Sequence, residues 1–136
     1  MAGTYVLVLE FYRPATIEVG ALGSIRFDAD VYAYVGSAFG AGGFSRIDRH
    51  RELAAGEREV YHWHVDYLLC HPGSSIAGVG RFPDEDLECE LARTLPGEVV
   101  PDFGASDCDC EGHLLAASGH RLVEALAERA PRFDSG

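Results

Sequence analysis

Apolar positions fall along the chain in short runs separated by glycine, proline and acidic residues. Thr4 to Phe11, TYVLVLEF, is apolar at almost every position and rich in β-formers, which predicts a strand. Ile17 to Val19 and Ser24 to Phe27 predict two short strands between glycines. Val31 to Gly36 predicts a strand that empties into the small-residue stretch GSAFGAGG. Ser45 is placed to cap a helix through RIDRHREL. Tyr61 to Leu69, YHWHVDYLL, alternates and predicts a strand with His62, His64 and Asp66 on one face. Ile76 to Phe82 predicts another strand. Asp84 is placed to cap a helix over EDLECELARTL, which Pro96-Gly97 would end. Gly112 to Ala117 predicts a further strand. His120 to Ala130 predicts a helix with Leu122, Val123, Leu126 and Ala127 on one stripe. The residues after Pro131 are expected to fray. Strands and helices mix without a βαβ rhythm, which predicts one α+β domain over residues 1–136, with a central, mainly antiparallel sheet flanked by helices.

Composition adds two constraints. A chain of 136 residues can bury a self-sufficient core. Its 22 acidic and 11 basic residues give a net charge of −11, and every cation is arginine. A lysine-free acidic surface is what a salt-rich cytoplasm favours, so a halophilic source is expected. In such salt the Debye length is about 3 Å, and an unfavourable overall sign says little against a nucleic-acid partner. No apolar run is long enough to span a bilayer, so no membrane partner is expected. The N-terminus passes into a strand without a basic leader, which points to the cytoplasm. Four cysteines in a reducing compartment are expected to be thiols or metal ligands rather than disulfides.

Chemistry gathers in a few stretches. GTY at 3–5 and YVG at 34–36 are followed by SRIDRH, which carries Arg46 and His50 one helical turn apart. A helical glutamate comes later, in ECELA. On the predicted wheel Glu88 falls at the edge of the apolar arc of Leu87, Leu91 and Leu95, whereas Glu90 falls outside it near Arg93. A carboxylate among apolar neighbours needs a partner, so Glu88 rather than Glu90 is the candidate functional carboxylate.

The two tyrosine half-motifs in order, with Arg-x-x-x-His and the later glutamate, resemble the GIY-YIG endonuclease superfamily. YVGSA, RIDRH, HWHVDYLL, ECELA and FGASDCDCEGHL resemble one branch of it, a domain of unknown function found mainly in archaea and bacteria. The resemblance covers roughly residues 3 to 117. It departs from better-studied relatives in the long gap between the half-motifs, and in threonine where the name has isoleucine.

The resemblance implies hydrolysis of DNA phosphodiester bonds with Mg²⁺ or Mn²⁺, with branched or single-stranded DNA among the candidate substrates, in repair or processing. It implies that Tyr5 or Tyr34 orients or deprotonates water, that Arg46 stabilises the phosphoryl charge, that His50 assists the tyrosine, and that Glu88 holds the metal. Gly36, Ser37, Arg49, His62 and His64 are the expected substrate contacts. Three other readings stand beside this one. The scaffold could bind nucleic acid without cutting it. HxHxD at 62–66 resembles part of a metallo-hydrolase zinc motif. Cys89, Cys108, Cys110 and His113 could hold a structural zinc.

Overall fold

The computed structural model describes residues 2–39, 43–56, 64–71, 73–100, 103, 112–117 and 119–135. Its main feature is a six-stranded sheet in the order β6-β7-β4-β1-β5-β8. The strands are β1 (Gly3–Phe11), β4 (Val31–Ser37), β5 (Ser74–Pro83), β6 (Glu98–Val99), β7 (Leu114–Ala117) and β8 (Arg132–Ser135). All its pairings are antiparallel. A separate hairpin joins β2 (Ala15–Glu18) to β3 (Ser24–Phe27). The helices are α1 (Ser45–Ala54), α2 (His64–Leu69), α3 (Glu88–Thr94) and α4 (Gly119–Arg129). The protein is therefore an α+β fold.

β1 reads as a continuous apolar run because both of its faces are covered. Tyr5, Leu7, Leu9 and Phe11 point to one face, against Ile47 and Leu53 of α1, Val65, Leu68 and Leu69 of α2, and the β2–β3 hairpin. Val6 and Val8 point to the other, against Leu91 of α3 and Leu122 and Leu126 of α4. Strand geometry alternates the side chains, and helices on both sides make both parities apolar. Tyr32 belongs to the first face, packed edge-on against Phe11 and Phe27, with its hydroxyl accepting the Ala29 N–H.

Several elements differ from the sequence expectation. Residues 64–69 form a helix, not a strand. The buried positions Val65, Leu68 and Leu69 recur at helical spacing. His64 and Asp66 are two residues apart on that helix and so face different directions, which removes the one-sided HxHxD face; His62 lies outside the described residues. The last residues do not fray. β8 pairs with β5, and Phe133 lies across Gly78, where a Cβ would come within 3.0 Å of its Cζ. On α4, Leu122 and Leu126 are buried, but Val123 is exposed.

The helix starts also differ. Phe44 holds the N-cap position of α1, with no side-chain cap, and Ser45 is already helical. Asp84 has φ +61°, a turn conformation, and α3 begins four residues later at Glu88. The cap for that entrance comes from far away in sequence. The fully buried Thr4 hydroxyl donates to the Glu85 carbonyl at 2.7 Å and accepts the Leu87 N–H at 2.9 Å. It satisfies polar groups that a helix start leaves open. The threonine of GTY thus sets where α3, and with it Glu88, begins.

Candidate active site

β1 and β4 lie side by side with Tyr5 opposite Gly36 and Leu7 opposite Tyr34. Side chains of the same parity share a face, so the two phenols are diagonal neighbours, with ring centroids 6.4 Å apart. Gly36 has a specific task here. A Cβ at that position would lie 2.4 Å from Tyr5 Cζ and 2.5 Å from its Oη. The Tyr5 ring therefore occupies the space that any other residue at 36 would fill. Gly36 was expected as a substrate contact; in the structure it is the seat of a tyrosine ring. Gly3, at φ +154°, has a similar constraint, since a Cβ there would meet the Phe82 carbonyl oxygen at 2.3 Å.

α1 crosses this face and delivers two residues of RIDRH. His50 is fully buried, and its Nε2 lies 2.7 Å from the Tyr5 hydroxyl. Its ring is also edge-on to Tyr34, at 6.2 Å. Arg46, one turn earlier, donates to the main-chain carbonyl of Ser37 at the end of β4. Ser37 thus holds Arg46 through its backbone. Arg49 turns inward to Asp66 of α2, with N–O distances of 3.2 and 3.4 Å. Its side chain is only 14% exposed, which places it in an internal ion pair rather than at a substrate-facing position. His64, half-buried, packs edge-on against Phe103, which in turn packs on Tyr34.

Glu88 opens α3 at the rim. Its carboxylate Oε1 is 3.7 Å from Nδ1 of the buried His113, which precedes β7. Glu90 points elsewhere and lies 4.0 Å from Arg129. Arg46, Glu88 and Asp66 all act electrostatically on both phenols, so five of the expected residues converge on one locality. Burial dominates there. It pushes the Tyr5 and Tyr34 hydroxyls well above the usual phenol range; Glu88 and Asp66 push the same way, and Arg46 opposes them. Burial also lowers His50 to about 4, helped by Arg49 and Arg46 and opposed by Asp66. His50 is therefore neutral at neutral pH. Burial lowers His64 as well.

Two partners were not foreseen: Asp66 behind His50, and Thr4 beneath Glu88. A signal for Asp66 exists in the sequence. A carboxylate inside HVDYLL, once that segment is seen as helical, must meet a cation or a donor to be buried.

The expected zinc set loses one of its four members. Cys89 is disulfide-bonded and so has no thiolate to offer a metal, contrary to the expectation of reduced cysteines. Cys70 is a free thiol. Cys108 and Cys110 lie outside the described residues, and His113 faces Glu88. Among the described residues no three His, Cys, Asp or Glu side chains form a group able to hold a metal. Among the described residues, a cation at Glu88 would rest on one carboxylate and water. That arrangement suits Mg²⁺, which keeps most of its hydration shell, and does not suit zinc.

Two phenols, a neutral imidazole backed by a buried carboxylate, a guanidinium and a rim carboxylate define an α+β domain with an acid–base cluster at one end of its central strands. The chain belongs to the family described as Domain of unknown function DUF123, which matches residues 4–134. No curated protein and no solved structure matches it.

Proposed function

We propose that this protein is a Mg²⁺-dependent endonuclease of the GIY-YIG type that hydrolyses DNA phosphodiester bonds. The observation that carries the reading is the 2.7 Å contact between Tyr5 and His50 beside Tyr34, Arg46 and Glu88. Buried phenols of this kind do not ionise unaided, so a base needs a proton acceptor within reach, and His50 is one.

In the proposed reaction a water oxygen attacks phosphorus while Tyr5 Oη takes its proton. The original Tyr5 proton passes to His50 Nε2. The P–O bond to the leaving group breaks, and the leaving oxygen gains a proton from solvent as the imidazolium returns one. Arg46 offers planar donors to the phosphoryl oxygens as charge builds. Tyr34 packs against the Tyr5 ring and fixes its direction. Mg²⁺ held by Glu88 would supply charge neutralisation at the phosphate.

Supercoiled plasmid in high salt with Mg²⁺ tests this. Wild type is expected to nick it, and Glu88→Ala and Tyr5→Phe are not. Failure of the wild type on duplex, single-stranded and branched DNA, with Mg²⁺ or Mn²⁺, would refute the enzyme. One observation favours a second reading, a DNA-binding module without cleavage: Tyr5 is only 1% exposed. That reading expects retention of DNA by the wild type and no product.

A further inference from the structure

We infer that Asp66 is a positioning residue that fixes His50 as its Nδ1–H tautomer, leaving Nε2 to accept the Tyr5 hydroxyl proton. Asp66 sits on α2, fully buried, and its Oδ1 lies 3.8 Å from His50 Nδ1. Arg49 holds the carboxylate from the other side, at 3.2 Å through Oδ2 and 3.4 Å through Oδ1. An ionised carboxylate only accepts. A proton on Nδ1 is attracted to it across this gap, whereas a lone pair on Nδ1 would face negative charge in a low-dielectric site.

The other groups facing His50 do not reverse this preference. Tyr5, from β1, meets Nε2 and is content to donate there. Tyr34, from β4, meets the ring edge-on. Arg46 and Arg49, on the same helix as His50, disfavour the doubly protonated ring, which keeps the choice between two neutral tautomers. The opposite tautomer would put an N–H against the Tyr5 oxygen, and no proton could leave that phenol for His50.

The catalytic meaning of this arrangement rests on the endonuclease reading, but the tautomer itself does not. When the Tyr5 proton reaches Nε2, the imidazolium carries an N–H at both nitrogens, and its charge faces Asp66. The proton later leaves from Nε2.

The ring ¹⁵N shifts of His50 in the full chain, at neutral pH in high salt, test the inference. The signals are assigned by their loss in His50→Gln. The wild type is expected to show a pyrrole-like Nδ1 and a pyridine-like Nε2; the reverse, or an even mixture, overturns the proposal. In Asp66→Asn, Arg49 keeps the amide oxygen at its closer contact and turns the NH₂ toward Nδ1. That variant is expected to show the reversed pattern and to nick plasmid about 100-fold more slowly, through kcat rather than KM. An unchanged tautomer, or unchanged kcat with a reversed one, overturns the positioning role. If Asp66→Asn does not fold, the wild-type spectrum decides alone. If the wild type has the expected tautomer and cuts no DNA, only the endonuclease reading fails.

Discussion

Replacing Gly36 by alanine asks the Tyr5 ring to give up its seat. The new methyl would stand 2.4 Å from Cζ, 2.5 Å from Oη and 2.9 Å from Cε1. Carbon atoms in contact settle at about 3.5 Å or beyond, so the ring or the strand must move by roughly 1 Å. The strand cannot retreat easily, because Gly36 itself is paired with Tyr5 of β1 and its neighbours Val31–Tyr34 are paired with β7 on the other side. The ring cannot move freely either, with His50 at 5.6 Å and Tyr34 at 6.4 Å between centroids. Overpacking of this kind costs about 1–3 kcal/mol. Loss of the Tyr5–His50 hydrogen bond adds about 1 kcal/mol. The expected total is about 2–4 kcal/mol, or a fall in Tm on the order of 10 °C for a domain of this size. A shift of about 1 Å in a base is expected to slow nicking about 100-fold.

Urea melts in high salt measure the first quantity and plasmid nicking the second. A double-mutant cycle sharpens the test. In a Tyr5→Leu background the methyl has space, so Gly36→Ala should cost less than half as much there. A Gly36→Ala protein within 0.5 kcal/mol of wild type, or one whose cost is the same in both backgrounds, would refute the account of why glycine stands at 36.

Thr4→Val keeps the volume but strips the Glu85 carbonyl and Leu87 N–H of their shared partner; it should cost about 2 kcal/mol by urea melt and raise the Mg²⁺ concentration needed for nicking. Arg49→Met leaves the Asp66 carboxylate buried without its cation and should cost about 3–5 kcal/mol by the same assay. His50 sets a pH window. Its folded pKa of about 4 lies below the ordinary 6.5, so between those values the unfolded chain binds a proton that the native chain does not. Stability is then fully present above about pH 6.5 and falls by up to about 3 kcal/mol as pH drops toward 4. His50→Gln, melted across that range, should show a correspondingly flatter profile.

Much of this was readable from residue order. TYVLVLEF was legible as a strand from its β-formers, and the placing of Arg46, His50 and Glu88 near the two tyrosines came from the resemblance those motifs carry. Three things were not readable, for different reasons. HVDYLL satisfies a period of two and a period of 3.6 over so few residues that only its packing partner decides, and that partner is α1. β8 depends on Phe133 finding the glycines of β5, a contact between segments about 50 residues apart. The start of α3 is set by Thr4 rather than by any local cap, so no reading of residues 84–88 alone could find it.

The phenols of residues 5 and 34 are also among the large rings on which the folded chain depends. Selection for a persisting polypeptide and selection for its chemistry therefore weigh on the same two side chains, yet only the hydroxyl oxygens separate them. On the endonuclease reading, a descendant that had given up the reaction would be expected to keep both six-membered rings and shed the oxygens, so phenylalanine at these positions would mark retired copies.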